Sequence, residues 1–577
     1  MDIVYKNKKL EHTLIFTNFA VTTLVIIVAL AQLGFEQPLL SSKTMYAILI
    51  GSAIFFVADQ FLRFLNARSK IDYIHTFWFG FVSIGVFFAI YYFSGLLWAL
   101  NFYLLLKIIA KIARTIVNLA ASGRSPAVTF VSSFIVIILI GAILLMLPKS
   151  RTTSSITFID AVFTATSATC VTGLVVKDTG TDFSFIGQTI ILCLIQLGGL
   201  GIVLFGTIFA LMFGQTLGMR QTAAMQDLLS EQTSGMIAHF IRFIFATTIT
   251  IEALGAVLMY NMWQSAGTLP PQIHSLWFCS IFHSISAFCN AGFGLFSDNL
   301  VRFKLSWQIY AIICPLIIFG GLGFSVLHNI IDFLWYKFKS FIIYLPRHHR
   351  HLIGFEKIQL QTKIVILMTL ILDIGGIILL LIFQNNTSDF HLDVPDAFFH
   401  SVSSRTAGFN TTNIDALSPV SKIITIILML IGGSPGGTSG GFKTVTLVII
   451  IMAIYATIRR RTEVEMFQRS IPLSIVGKAL TVVSMFVFVF LVSTFLLSIT
   501  ERHNNFDIMN IMFEVASGIG TVGLSTGITP SLTTAGKIII IFTMFIGRLG
   551  PLTLLAALTF NIKPARYNYP TESVVVG

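Results

Sequence analysis

Apolar residues in this chain come in runs of recurring length. Stretches at about 127–148, 186–213, 238–262, 305–335, 362–383, 421–457, 474–499 and 536–559 each reach the roughly 20 residues that span a bilayer as a helix. Three more runs, at about 13–34, 43–62 and 75–95, precede them, and a fourth at 97–119 carries Lys107, Lys111 and Arg114 on one helical face. The pattern predicts an all-α polytopic membrane protein with about 12 spans. The first run is too long for a signal-peptide core and no small-residue cleavage site follows closely, so it is read as a retained span.

Four short stretches between these runs resemble one another: FTATSATCVTG ending at Gly173, FHSISAFCNAG at Gly292, FFHSVSSRTAG at Gly408 and FEVASGIGTVG at Gly523. The glycines are 119, 116 and 115 residues apart. Ten residues before them stand Phe163, Phe282, Phe398 and Phe513; six before stand Ser167, Ser286, Val402 and Ser517, so the third copy departs from serine. Each stretch lies between two spans, and each unit reads as span, short helix, small-residue stretch, span. The short helices start at about Ile159, Ile273, Val394 and Ile508 and are too short to cross. Irregular backbone is tolerated at membrane depth only when buried in protein or lining a watery cavity. Four re-entrant loops around one axis, each ending in a glycine able to take φ > 0, can aim rings of carbonyl oxygens at a monovalent cation. Single glycine stretches often serve only close helix packing, but four in register inside four matching span pairs argue for the ring.

The same pattern divides the chain into residues 1–122, an extra helical region, and four units at 123–235, 236–350, 351–468 and 469–577, arranged around a central pore. A second element recurs 25, 28, 24 and 24 residues after the glycines: GGLG at 198–201, GGLG at 320–323, the opening of GGSPGG at 432–437, and GRLG at 547–550. At 1.5 Å per helical residue all four fall near mid-membrane. In the third unit the break is enlarged into the loop 431–444, IGGSPGGTSGGFKT, whose polar backbone can meet water only if it faces a pore. Arg548, in the fourth unit's copy, is a charge at mid-membrane and is expected to contact residues 432–441; Lys443 is a weaker candidate that can snorkel along its helix.

Composition agrees with this picture. Of 577 residues, 55% are hydrophobic and 11% charged, with a mean hydropathy of +0.87, which excludes a soluble multidomain protein. The net charge of +12 points to no nucleic acid, because the cations cluster at span ends: Lys6, Lys8 and Lys9; Arg63, Arg68 and Lys70; Lys337, Lys339 and RHHRH at 347–351; Arg459, Arg460 and Arg461. Basic loops at 214–237, 336–361 and 458–473 place the re-entrant stretches on the outer side; PKSRTT at 148–153 is the exception. Arg124 must lie inside, which four N-terminal crossings satisfy and three do not. His348, His349 and His351 read as a solvated basic loop rather than a metal site. The five cysteines form no CxxC pair and imply neither disulfides nor zinc.

The fourfold plan, with TSATCVTGLVV, SAFCNAGF, SSRTAGFNT and GIGTVGLST, resembles the pore subunit of the Trk/Ktr/HKT superfamily of potassium transporters over roughly residues 123–566. The resemblance implies a homodimer with one pore per protomer in the cytoplasmic membrane of a bacterium, gated by separate cytoplasmic nucleotide-binding subunits. This chain has no suitably placed GxGxxG, so the nucleotide is expected only on such a subunit, with no cofactor here and potassium as substrate. By position the filter would be lined by Cys170, Val171, Thr172 and Gly173; Cys289, Asn290, Ala291 and Gly292; Arg405, Thr406, Ala407 and Gly408; and Gly520, Thr521, Val522 and Gly523. In the superfamily a serine in place of the first glycine goes with sodium preference, so Gly173 favours potassium. The Arg405 side chain is expected to point away and pin the short helix by pairing with backbone or an acid. The resemblance makes the third-unit loop an intramembrane gate, formed by Gly432, Gly433, Ser434, Pro435, Gly436, Gly437, Thr438, Ser439, Gly440 and Gly441, with Lys443 and Arg548.

Three alternatives frame the reading. A sodium-coupled or sodium-permeable transporter of broken-helix type predicts paired unwound segments and a coupling acid at the midplane. An embedded enzyme is disfavoured, since no paired acids, HExxH or nucleophile elbow lies in the spans. Asp373 and Glu252 read as helix-packing acids or partners for Arg548. The fourth N-terminal helix superficially resembles a voltage sensor, but its three cations are few and acids beyond Asp59 are sparse, so it reads as a snorkelling, interface-lying or packing helix.

Overall fold

A computed structural model describes residues 6–35, 40–121, 126–152, 156–201, 237–266, 274–342, 358–387, 390–461 and 463–558. Arg124, most of the basic loops 214–237 and 336–361 with His348, His349 and His351, the end of the 186–213 run and the C-terminal tail lie outside the described residues. So does the Arg114 side chain.

The chain is helical, as its apolar periodicity predicts. Four N-terminal helices, α1 (Lys8–Leu33), α2 (Ser42–Asn66), α3 (Lys70–Ser94) and α4 (Leu96–Ala121), are N-capped by Asn7, Ser41 and Ser69 in the first three cases. They share a small core of their own, with Val25, Leu49, Phe56 and Leu104 buried. Two of the α4 cations turn into this bundle instead of snorkelling: Lys107 Nζ donates to Gln60 Oε1 (2.8 Å) and Lys111 Nζ to Asn18 Oδ1 (2.7 Å).

Four span-and-short-helix pairs follow: α5 (Pro126–Leu145) with α6 (Phe158–Thr169), α8 (Ile237–Met259) with α9 (Leu276–Phe288), α12 (Leu360–Thr387) with α13 (Val394–Ser404), and α16 (Leu473–Thr500) with α17 (Ile508–Gly520). The short helices are almost wholly buried, and α6 and α9 start at Thr157 and Ser275, whose hydroxyls cap the first turn. Between them run α7 (Phe185–Leu200), α10 (Cys314–Leu322) and α11 (Phe324–Ile342), α14 (Pro419–Leu430) and α15 (Thr444–Ile458), and α18 (Thr534–Leu549) and α19 (Pro551–Leu558). A two-residue turn joins β1 (Val464–Met466) to β2 (Arg469–Ile471), antiparallel with Glu465 opposite Ser470.

Among the described residues six helices are long and apolar enough to cross a membrane, or eight if two bent pairs count as spans. The bends correct the sequence expectation of continuous spans at 305–335 and 536–559. The first is bent by 106° after Leu322 and the second by 91° after Leu549. Each hinge is the last glycine of the repeated element: Gly323 has φ +85° and Gly550 φ +80°, while Gly201, at φ +84°, ends α7. Such backbone suits glycine and stops an α-helix.

Candidate functional site

Directly after each short helix the backbone enters the left-handed region twice. Val171, Asn290, Thr406 and Thr521 have φ between +49° and +78°, and two residues later Gly173, Gly292, Gly408 and Gly523 have φ between +70° and +94°. For the β-branched Val171, Thr406 and Thr521 this conformation costs roughly 1–3 kcal/mol each, and it persists only where the surroundings dictate it. They do so here. Ser167 O accepts from Thr172 N (2.8 Å), Ser286 O from Ala291 N (2.7 Å), Ser403 O from Ala407 N (2.8 Å) and Ser517 O from Val522 N (2.8 Å).

The four glycines close on one another. A Cβ added to Gly173 would stand 3.0 Å from Gly292 Cα, one on Gly292 3.0 Å from Gly408 Cα, one on Gly408 3.1 Å from Gly523 Cα, and one on Gly523 3.0 Å from Gly173 Cα. Each would also meet the carbonyl oxygen just before the next glycine, those of Ala291, Ala407, Val522 and Thr172 in turn. Four stretches more than a hundred residues apart thus meet edge to edge around one axis, with no room for a side chain. The flanking Cys170, Val171, Thr172, Cys289, Asn290, Ala291, Thr406, Ala407, Thr521 and Val522 are all buried.

In the third stretch the spacing to the glycine is one residue shorter than a direct count assumes. Phe399, not Phe398, is fully buried like Phe163, Phe282 and Phe513. Ser403, not Val402, takes the serine's place: its hydroxyl donates to Phe409 O as that of Ser286 donates to Phe293 O (2.8 Å). In the first and fourth stretches Ser167 and Ser517 Oγ accept from Gly173 N (3.1 Å) and Gly523 N (3.0 Å). The same offset aligns buried His400 with His283, two supporting residues that the sequence pattern did not single out. His283 Nε2 accepts from Leu295 N (3.4 Å), and His400 lies 3.0 Å from the Thr425 hydroxyl.

The recurring glycine element lies against the ends of the short helices. Gly198 touches the Thr169 carbonyl, Gly320 that of Phe288 and Gly547 that of Ile519, each closely enough to exclude a Cβ. In the third unit the loop closes at its base through Gly432 N to Phe442 O (3.0 Å), Phe442 N to Leu430 O (3.2 Å) and Thr444 N to Gly433 O (3.0 Å). Its tip uses carbonyls that the broken helices leave free. Ser434 N donates to Gly321 O (2.9 Å), Thr438 N to Gly320 O (3.2 Å), and the Thr438 hydroxyl to Phe288 O (3.3 Å). Phe324 N returns a bond to Gly436 O (3.2 Å), Gly437 packs on the Gly320 and Gly321 carbonyls, and Gly440 sits against Thr521 and the Gly520 carbonyl. Pro435 O lies near Gly323.

The mid-membrane charges sort themselves by partner. Arg548 donates to Thr438 O of the loop and to Gly198 O and Gly199 O of α7, so one guanidinium ties units one, three and four together. Lys443 Nζ donates to Ser439 O inside the loop (2.5 Å) and does not snorkel. Arg405, 8% exposed, turns to Asp373 Oδ1 (3.0 Å) on α12. Asp373 and Glu252 are therefore not partners for Arg548. Glu252 accepts from the Gln196 amide (3.2 Å) and faces the Cys289 thiol (3.8 Å). The two acids hold equivalent places, since Ser284 Oγ donates to Glu252 O (2.6 Å) and Ser401 Oγ to Asp373 O (3.0 Å).

A model of the TrkH cation transport protein family matches residues 100–567. The chain is 37% identical to Ktr system potassium uptake protein B of Bacillus subtilis over 461 residues, covering 78% of this chain and 97% of that protein. It is equally identical, with the same coverage, to the potassium/sodium uptake protein NtpJ of Enterococcus hirae. Its fold matches the crystal structure of the potassium transporter TrkH from Vibrio parahaemolyticus with a TM-score of 0.55 at 19% identity, over 76% of this chain and 85% of that one. The chain belongs to the TrkH family of cation transport proteins, as a multi-pass membrane subunit of Trk/Ktr type.

Proposed function

We propose that this chain takes up potassium through the ring of Gly173, Gly292, Gly408 and Gly523, and that the loop 431–444 is its gate. The closed contact of the four glycines carries the reading, because it sets four carbonyl-bearing segments around one axis. A dehydrating monovalent cation needs several oxygens at once, and backbone carbonyls supply them without a side-chain charge that would trap the ion. The variety of the residues before the glycines, Thr172, Ala291, Ala407 and Val522, fits a filter that works through main chain alone. Gly173 keeps the first segment free of the serine hydroxyl that goes with sodium preference.

The gate works by competition for carbonyls. The breaks at Gly201, Gly323 and Gly550 expose helix C-terminal oxygens, which attract cations and N–H groups. In the closed state the loop's amides and Arg548 occupy the Gly198, Gly199, Gly320 and Gly321 carbonyls, and a fixed positive charge stands below the filter. Opening withdraws the loop into a water-filled cavity where its backbone is solvated. Cytoplasmic nucleotide-binding subunits acting on a homodimer of this chain drive that step, as the names and family of the relatives support. The potassium/sodium relative keeps sodium permeation as the second reading. Expression together with a Ktr-type regulatory subunit in a bacterium lacking its own potassium uptake systems is expected to restore growth at low external potassium; full membrane insertion of the pair without growth would overturn the assignment.

A further inference from the structure

Among the described residues the N-terminal bundle holds a buried charged cluster that the pore reading leaves unused, and α1–α3 lie outside the family match, which starts at residue 100. We propose that α1–α4 sense membrane voltage, with α4 as the charge-carrying helix.

Lys107 and Lys111 sit near the middle of the 26-residue α4, one turn apart on one face. A cation there is costly unless it faces a protein interior that can solvate it. The bundle supplies that interior in steps. Lys107 donates to Gln60 Oε1 (2.8 Å) and lies 5.3 Å from the Tyr103 ring; Lys111 donates to Asn18 Oδ1 (2.7 Å) and Thr22 Oγ1 (2.9 Å) and lies 5.5 Å from the Phe19 ring. Beyond them Asn18 Nδ2 donates to Asp59 (2.8 Å), and Asp59 binds Arg63 Nε (3.1 Å), whose other arm reaches Glu11. Lys107 and Lys111 thus face amides, a hydroxyl and aromatic rings, with the buried Asp59 carboxylate one step further in. Such a ladder offers an ammonium group more than one polar partner along the bundle.

Mechanical attachment fits the role. The bundle has its own core, and α4 leads within a few residues into α5, the first span of the pore units. At the other end Lys149 N donates to Gly34 O (3.0 Å), tethering α1 beside the far end of α5. A shift of α4 therefore reaches α5 directly, while α1 and α2 stay as the frame.

Each unit charge that crosses the whole field changes a two-state equilibrium by about fifty-fold per 100 mV. Planar-bilayer recording of the full chain is expected to show a conductance that depends on voltage more steeply than the driving force alone. Lys111→Gln should flatten and shift the curve, Asp59→Asn should shift it, and Lys111→Arg should keep the steepness. A fluorophore on Leu96→Cys in a Cys193→Ser background reads the movement of α4 separately from current. Fluorescence that follows voltage in a protein without current would sink the pore reading and leave this one standing. Current and fluorescence that both ignore voltage in the unsubstituted chain would refute voltage sensing and leave the pore reading intact.

Discussion

At Gly173 the available space is set by the Ala291 carbonyl and the Gly292 Cα, 3.0 Å from where a Cβ would stand. A serine there must push against a neighbouring glycine-ended segment while holding φ near +92°. Gly173→Ser is expected to lower the potassium-over-sodium flux ratio about tenfold, equivalent to ~1.4 kcal/mol, which tracer competition in liposomes would register. An unchanged ratio would remove Gly173 from the filter. Arg548 tests the gate at the same scale. Its bonds to main-chain oxygens are charge-assisted, worth roughly 1.5–3 kcal/mol each, so Arg548→Gln should raise flux without regulatory subunits at least about tenfold. The need for Arg405 to pair with backbone or an acid was legible from the cost of a charge in lipid, but its partner was not. Asp373 lies 32 residues away on another helix, and only packing reveals that it faces α13.

Elements show where sequence reading succeeds and where it slips. The short helices were legible, because small-residue stretches after brief apolar segments cannot continue a span. Their internal register was not: a count back from Gly408 lands on Phe398 and Val402, whereas burial and hydrogen bonds select Phe399 and Ser403. A one-residue shortening leaves no mark when a neighbouring phenylalanine and a neighbouring serine both stand ready. The bends after Leu322 and Leu549 were hidden for a similar reason, since apolar residues continue on both sides of one glycine. The loop 431–444 was conspicuous by its glycines, yet its docking onto the Gly320 and Gly321 carbonyls of α10 depends on the bend after Leu322. Deleting residues 433–440 removes every tip contact. Potassium flux measured in the absence of partner subunits should then rise and lose its response when they are added; flux no higher than in the full chain would argue against a gate.

For the whole molecule, closure of the ring is also a matter of joining first and last units. Lys537 Nζ of α18 bonds Asp160 Oδ1 of α6 at 2.7 Å, across 377 residues of sequence. Lys304 bonds Asp396 (2.5 Å), and this hydrogen bond raises the lysine's pKa; Lys422 reaches Asn510 (3.2 Å), so a second span or the turn leading into it grips the next short helix at three junctions. At the fourth, Phe185 packs edge-on against Phe278 at 4.7 Å. Removing one partner of a buried pair costs about 3–5 kcal/mol, so Lys537→Met should lower the detergent melting temperature while Lys304→Met, at a more exposed pair, changes it less. The fourfold plan was readable from spacing alone, but the identity of these junction residues was not, because each pair joins different units.

The central claim is that four glycine-ended segments form one potassium-selective path. Purified protein in liposomes, loaded with potassium and assayed for rubidium-86 entry, tests it directly. Rubidium should accumulate, external potassium should compete, and sodium at the same concentration should not. No uptake above empty liposomes, or equal competition by sodium, would contradict the account.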